Sequence, residues 1–242
     1  MKKLGIIGYP LKHSFSQKYF TKKFEGEGIT NYCYKQYEID SIEKITDILA
    51  DKDVVGLNVT IPYKELVMPY LTEIDATAAE IKAVNCIKRE GDKLIGYNTD
   101  IIGFEESLLQ LIGDNRPEAL VFGTGGASKA ICYVLKKLGV NFNLVSRRKG
   151  ENTLSYDEVT KDLLKTRKLL INTTPLGTFP NMDNAIDIPY DAIDGDSFVY
   201  DLVYNPSDTK FIRSARYKGA KVMSGYKMLI SQAEAGWKIY GE

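Results

Sequence analysis

Short apolar runs alternate along the chain with stretches whose apolar residues recur every three or four positions. Runs of the first kind read as strands and those of the second as helices, so their alternation predicts an α/β protein built from βαβ units. Leu4–Gly8 predicts a first strand, ended by the Tyr9-Pro10 turn. Ser16 suits a helix N-cap; Tyr19, Phe20 and Phe24 follow at helical spacing, and Gly26 and Gly28 close the helix. Tyr32–Ile39 predicts a second strand, and Ser41 caps a short helix with Ile42, Ile45, Ile48 and Leu49 on one face. Val54–Ile61 predicts a third strand, after which Pro62 suits the first turn of a helix.

Further on, the spacing predicts a helix over Asp75–Ile81 and two strands, Val84–Lys88 and Lys93–Tyr97, joined by a hairpin turn at Gly91-Asp92. Asp100 reads as the N-cap of a helix ending near Gly113. Ala119–Phe122 is apolar throughout, as a strand buried on both faces must be. A glycine-rich turn follows, and then a helix carrying Ala130, Ile131, Val134, Leu135 and Leu138. Phe142–Val145, Lys168–Asn172, Phe198–Leu202 and Lys221–Met223 predict later strands, with helices near Asp208–Lys218 and Gly225–Tyr240. The domain change is placed near Asp100. A first domain covers 1–100, rejoined by the last helix at 226–242, and a second domain of dinucleotide-binding type covers 101–225.

Composition narrows the function classes. Of 242 residues, 44% are hydrophobic and 26% charged, which excludes global disorder. Lys+Arg and Asp+Glu are 32 each, so nothing favours a nucleic-acid or anionic-membrane partner. No stretch approaches the roughly 18 apolar residues of a membrane span. The apolar run after Lys2-Lys3 is broken by Gly5, Gly8 and Pro10, unlike a secretory leader. Three cysteines, Cys33, Cys86 and Cys132, make an odd set without metal-ligand spacing. The expectation is a soluble cytoplasmic protein that acts on a small molecule. His13 is the only histidine, so a Ser-His-Asp triad would have to use it, and no metal site is expected. Neither a monomer nor a homodimer is singled out.

Candidate chemistry lies at the predicted strand ends. Gly123-Thr124-Gly125-Gly126-Ala127-Ser128 joins a strand to a helix. It could hold a dinucleotide pyrophosphate against the helix N-terminus, with Ser128 at the third fingerprint position, or be a plain βα turn. An NAD site would place an acid about 20 residues on. Ser146-Arg147-Arg148-Lys149 stands there instead, with no carboxylate before Glu151. Guanidiniums grip phosphate in a bidentate fork, so this loop suits the 2′-phosphate of NADP(H), unless it is only a solvated basic loop. In the first half, Ser14 and Ser16 could bind a carboxylate or cap a helix. Asn58, Thr60 and Lys64 follow a strand, where Lys64 would oppose the helix dipole or be a surface lysine. Asn85 and Asn98-Thr99-Asp100 lie at strand ends too, Asp100 being a sufficient cap. Short polar groups gathered at C-terminal strand ends suit a small, polyhydroxylated, anionic ligand.

Gly5–Ser16, Asn58–Lys64, Ala83-Val84-Asn85, Asn98-Thr99-Asp100, Gly123–Lys129, Asn172–Gly177, Tyr200–Tyr204 and Gly225–Gln232 come in the order and spacing of one family. The chain resembles shikimate dehydrogenase along nearly its whole length. The resemblance implies two α/β domains: an N-terminal substrate domain with a mixed, mainly parallel sheet, and a C-terminal Rossmann-like dinucleotide-binding domain, with the active site in the cleft between them. It implies reversible, NADPH-dependent reduction of 3-dehydroshikimate to shikimate in aromatic amino-acid biosynthesis. By it, Ser14, Ser16 and Tyr204 bind the substrate carboxylate, while Asn58, Thr60, Asn85 and Gln232 hold ring hydroxyls. Lys64 and Asp100 match the catalytic pair. Gly123, Thr124, Gly125, Gly126 and Ala127 match the pyrophosphate turn, and Thr173, Leu202, Gly225 and Met228 the walls around the cofactor. Gln17 stands where the family usually has proline, Ser146-Arg147-Arg148 replaces its usual Asn-Arg-Thr, and the chain is shorter after Gly150 and past Trp237. A relaxed quinate/shikimate dehydrogenase using NAD would favour the missing acid. A non-catalytic sensor of pathway intermediates would be expected to lack Lys64 or Asp100. An unrelated Rossmann enzyme would not explain the serine pair.

Overall fold

A computed structural model describes residues 1–11, 14–150 and 152–241; His13 and Glu151 lie outside the described residues. The chain divides into two compact units, Met1–Thr99 with Ala233–Glu242, and Asp100–Gln232.

The first unit contains β1 (Lys2–Gly8), α1 (Phe15–Glu27), β2 (Tyr32–Glu38), α2 (Ile45–Ala50), β3 (Val54–Val59), β4 (Glu73–Ile74), α3 (Ala76–Ile81), β5 (Cys86–Glu90) and β6 (Lys93–Tyr97). The strand order is β2-β1-β3-β5-β6-β4. β2, β1 and β3 run parallel, β5 is antiparallel to both of its neighbours, and β4 is parallel to β6. Alternation along β1 sends Ile7 into one apolar layer, with Leu57 and Val59, and Leu4 and Ile6 into the other, with Phe20 and Tyr34. That second layer is completed by Ala233, Trp237 and Tyr240. Gly56 is required there, because a Cβ would strike the Tyr240 ring.

The second unit contains α4 (Asp100–Ile112), β7 (Ala119–Phe122), α5 (Gly126–Lys137), β8 (Phe142–Ser146), β9 (Thr153–Ser155), α6 (Lys161–Thr166), β10 (Leu169–Asn172), β11 (Phe198–Asp201), α7 (Lys210–Tyr217) and β12 (Lys221–Ser224). The last helix, α8 (Tyr226–Gly241), begins in this unit and from Ala233 belongs to the first. All six strands are parallel, in the order β12-β11-β10-β7-β8-β9. Ala119 and Val121 face one core layer with Phe104 of α4 and Ile131 of α5; Leu120 and Phe122 face the other with Leu164 of α6 and Phe211 of α7. This is the doubly wound arrangement, and its strand order reverses between β7 and β10.

Three local expectations are corrected. No helix follows Pro62. The chain instead turns on itself, Tyr63 N–H donating to Thr60 O (2.9 Å) and Val67 N–H to Tyr63 O (2.9 Å), with a short 3₁₀ turn at Met68–Tyr70. Buried Tyr63 and Val67 pin that turn. Ser16 is not the N-cap of α1: the helix starts at Phe15, Ser14 holds the cap position, and Ser16 lies in the first turn. Asp100 is the first residue of α4 rather than the residue before it. The strand β4, the edge strand β9 and helix α6 have no counterpart in the periodicity reading.

Candidate functional site

The first unit gathers its polar candidates at one sheet edge. Parallel β1 and β3 both end there, and β5, being antiparallel, begins there. Asn85 therefore precedes its strand and yet meets the end of β3, accepting from Val59 N–H at 2.8 Å. The expectation that Asn85 ends a strand is thus corrected, although the edge is the same. β6 returns to this edge, placing Asn98 and Thr99 beside Asn85. The Asn85 amide closes a ring with Thr99: Nδ2 donates to Thr99 Oγ1 (3.0 Å), and Oδ1 accepts from Thr99 N–H (2.7 Å). Asn98 Nδ2 donates to Ala83 O (2.9 Å), which holds the two turns together. Asp100, next in the chain, is buried at 6% exposure.

Ser14 stands at the head of α1, where backbone N–H groups point outward without helical partners. Its Oγ is buried and has no hydrogen-bond partner among the described residues. A buried hydroxyl left so costs about 1–3 kcal/mol, unless a ligand or water supplies the partner. Ser16 is buried two residues along, its hydroxyl beside the Tyr34 phenol. Asn58, on β3, is 5% exposed and accepts from Tyr34 Oη at 2.7 Å. Thr60 is half-buried just past β3, its N–H donating to Ile7 O (3.0 Å). Lys64 is half-buried in the turn that replaces the expected helix, so the helix-dipole argument for it lapses. Its carbonyl accepts from Val84 N–H at 2.8 Å, which fixes the backbone from which the ammonium projects.

In the second unit the glycine-rich turn leaves β7 at the point where the strand order reverses, the position at which open α/β sheets bind ligands. Gly123 has φ 110°, and a Cβ there would lie 2.5 Å from Thr173 Oγ1. Conformation and packing both demand glycine at that position. Thr173 follows β10, and its hydroxyl donates to Phe122 O at 2.7 Å. Gly125 differs. Its φ of −83° and ψ of −176° suit any residue, and a Cβ would meet no protein atom within 4 Å. Neither conformation nor packing among the described residues requires this glycine, and it leaves the N-terminus of α5 open to close approach by a ligand. Ser128, at the third fingerprint position, is buried and turns its hydroxyl back onto Gly125 O (2.6 Å). Thr124 is exposed, and Gly126 and Ala127 are half-buried in the first turn of α5.

Ser146 ends β8, and its Oγ donates to Arg148 O (2.6 Å), folding the exposed Arg147-Arg148 loop. Lys149 is paired with Glu158 (2.6 Å), which helps hold that carboxyl down at about 2, together with the Ser155 N–H. A cluster of guanidiniums with open faces beside a free-standing helix N-terminus fits a dinucleotide carrying an extra phosphate. Gly225 passes so close to Leu202 that a Cβ would strike the Leu202 carbonyl. Leu202 itself is half-buried, its N–H donating to Asn172 O (2.9 Å). Met228 is buried at 8% exposure among Phe104, Ile131 and their neighbours, so most of its surface packs in the core. Tyr204 is half-buried, which pushes its phenol pKa up and keeps it a proton donor. Gln232 is buried near the end of this unit, with Nε2 donating to Leu229 O (2.9 Å).

Two groups of functional interest escape sequence reasoning. Tyr34 reads only as one aromatic in a strand, though a buried phenol always needs a partner. Asp201, at the end of β11, is wholly buried; it accepts from Val203 N–H (3.0 Å), Asn172 Nδ2 (2.9 Å) and Thr209 Oγ1 (2.6 Å). A charge inside an otherwise apolar strand was the available signal.

A family profile described as shikimate dehydrogenase substrate binding domain matches residues 6–87. The chain is 38% identical to the NADP(+)-dependent shikimate dehydrogenase of Caldicellulosiruptor saccharolyticus, over 99% of this chain and 92% of that protein. The crystal structure of shikimate dehydrogenase from Aquifex aeolicus matches with a TM-score of 0.88 at 34% identity, covering 100% of this chain and 92% of that one. The enzyme of Thermus thermophilus, solved in complex with NADP(H) and shikimate, matches with a TM-score of 0.87 at 27% identity, covering 100% of this chain and 94% of that one. Among the described residues no helix is long and apolar enough to cross a membrane.

Proposed function

The chain belongs to the shikimate dehydrogenase family, and we propose that it reversibly reduces 3-dehydroshikimate to shikimate with NADPH. The observation that carries this reading is the polar edge of the first sheet. There a Ser14 hydroxyl at a helix head, buried and without a partner among the described residues, stands with Asn58, Thr60 and Asn85, in a chain that matches NADP-dependent relatives over 99% of its length.

In this reading Ser14 and Ser16 receive the substrate carboxylate at the head of α1, with Tyr204 as a further donor. Asn58, Thr60, Asn85 and Gln232 hold the ring hydroxyls. Gly123, Thr124, Gly125, Gly126 and Ala127 hold the pyrophosphate; Ser146, Arg147 and Arg148 hold the 2′-phosphate; Thr173, Leu202, Gly225 and Met228 wall the remainder. NADPH, when bound, supplies the hydride. The chain's own task is the oxygen of the reacting carbonyl, where negative charge grows as the carbon is reduced. The Lys64 ammonium is assigned to that oxygen, stabilising the charge and delivering the proton directly or through water. The Asp100 carboxylate is assigned to orient Lys64 and the adjacent hydroxyl. Three unpaired cysteines support a reducing compartment, which we take to be the cytoplasm.

Initial rates with shikimate or quinate against NADP or NAD test the proposal. Turnover is expected to be fastest with shikimate and NADP. Absence of turnover with that pair, or preference for quinate with NAD, would overturn it.

A further inference from the structure

The buried phenol of Tyr34 has no part in the reading above, yet it touches two of its residues. β1 lies between β2 and β3, so Tyr34 must reach over β1 to meet Asn58. Its ring is held flat against Phe20 of α1, centroids 4.7 Å apart and planes within 9°. Tyr34 is 6% exposed, Ser16 7% and Asn58 5%, so the contact is shielded from competing water. Burial also pushes the phenol pKa well above its ordinary value, so the group remains an O–H donor wherever the protein is folded.

A carboxamide has one accepting end and one donating end, and rotation by half a turn exchanges them. Tyr34, held by Ser16, sets that choice: with the Ser16 hydroxyl against the phenol oxygen, the phenol O–H is the group left to meet the amide. Its O–H donates to Asn58 Oδ1 at 2.7 Å, so the Nδ2 end is left to face any other partner. Nδ2 lies on the α8 side, 3.7 Å from where a Cβ on Gly236 would stand.

We propose that Tyr34 is a positioning residue that locks Asn58 as a hydrogen-bond donor toward an oxygen of the substrate. Because the same phenol meets Ser16, it also ties the carboxylate end of the substrate site to its hydroxyl end. The inference rests on the assignment of Asn58 to the substrate.

The test is a double-mutant cycle in steady-state kinetics with Tyr34→Phe, Asn58→Ala and the double variant. Tyr34→Phe keeps the ring stacked on Phe20 and removes only the donor. It should raise the shikimate KM about 3- to 10-fold, a hydrogen bond's worth, with kcat changed less and the NADP KM unchanged. The double variant should be no worse than Asn58→Ala, since Tyr34 acts through Asn58. A normal shikimate KM in Tyr34→Phe, or additive losses in the double variant, would overturn the proposal. If Asn58→Ala itself leaves KM unchanged, the assignment of Asn58 fails, and the inference with it. Should Tyr34→Phe not fold, the Asn58 side-chain amide of the 15N-labelled parent serves, its signal identified by its loss in Asn58→Ala. Its NH2 signal should shift when shikimate is added, and an unmoved signal would refute the donor role.

Discussion

Asp201 offers a perturbation whose sign and size follow from the structure. Its carboxyl is wholly buried at the end of β11 and pairs with no cation among the described residues. Three donors reach it, from Val203, Asn172 and Thr209, but burial outweighs them and raises its pKa from 3.8 to about 6. The unfolded chain titrates this group near the lower value. Between the two values the folded protein therefore holds a proton that the unfolded chain has lost. Stability falls as pH rises through this window and is level above it. A shift from 3.8 to about 6 corresponds to about 3 kcal/mol at neutral pH, as an order of magnitude.

Asp201→Asn removes the titration while keeping the shape. The amide oxygen can still accept from Val203 and Asn172, and the Thr209 hydroxyl can turn to accept from the new amide. The expected result is a variant as stable as the parent near pH 4 and more stable at pH 7–8, by up to the same ~3 kcal/mol. The assay is urea unfolding of both proteins from pH 4 to 8, read as the difference at each pH. Taking the difference cancels the other carboxyls, including Glu158, held at about 2 mainly by Lys149. A difference that does not change with pH would refute the reasoning, as would a variant that loses stability relative to the parent as pH rises. The first would mean that the three donors offset the burial of the ionised carboxylate, and the second that they outweigh it.

Other outcomes are expected at the candidate site. Arg147→Ala should weaken NADPH binding by roughly 10- to 150-fold, the worth of a charge-assisted hydrogen bond, and leave NADH nearly unaffected; fluorescence titration with each cofactor checks this, and equal losses would remove Arg147 from the 2′-phosphate. Gly125→Ala should leave the melting temperature unchanged, because its Cβ meets no protein atom, and yet raise the NADP KM. An unchanged KM there would show that the open space is not used by the cofactor. Lys64→Ala should lower kcat by about 10²–10⁴ with a smaller change in KM; a loss confined to KM would make Lys64 a binding group only.

What was legible in the sequence was what one element states by itself. Ala119–Phe122 and its glycine turn announce a buried strand followed by a helix, because four apolar residues and three glycines leave little else to build. The alternation of Leu4, Ile6 and Ile7 between two core layers is likewise local. The failures are places where a distant segment decides. Pro62 suits a helix start, but Tyr63 and Val67 are drawn into the core, the Tyr63 hydroxyl reaching Ile39 O at 2.6 Å, and Val84 N–H takes the Lys64 carbonyl. β4 is two residues long, and β9 exists because β8 offers it an edge. The direction of β5 is not written in its residues, and so neither was the sheet edge to which Asn85, just before that strand, is brought.

The same division runs through the site. Residue type and strand-end position mark Asn58 and Asn85 as polar groups at a ligand-facing edge, but an amide is informative only once its orientation is known. In both cases that orientation is set from elsewhere: Asn58 by Tyr34 across β1, Asn85 by Thr99. These partners are separated by 24 and 14 positions in the chain, beyond the reach of any local spacing rule. Their cost is the buried polar surface itself, which the fold offsets by giving each amide a partner that fixes its sense. Exchanging a partner for an apolar residue therefore does more than remove one bond. It frees the amide to turn, and so changes whether the edge offers a donor or an acceptor to what binds there.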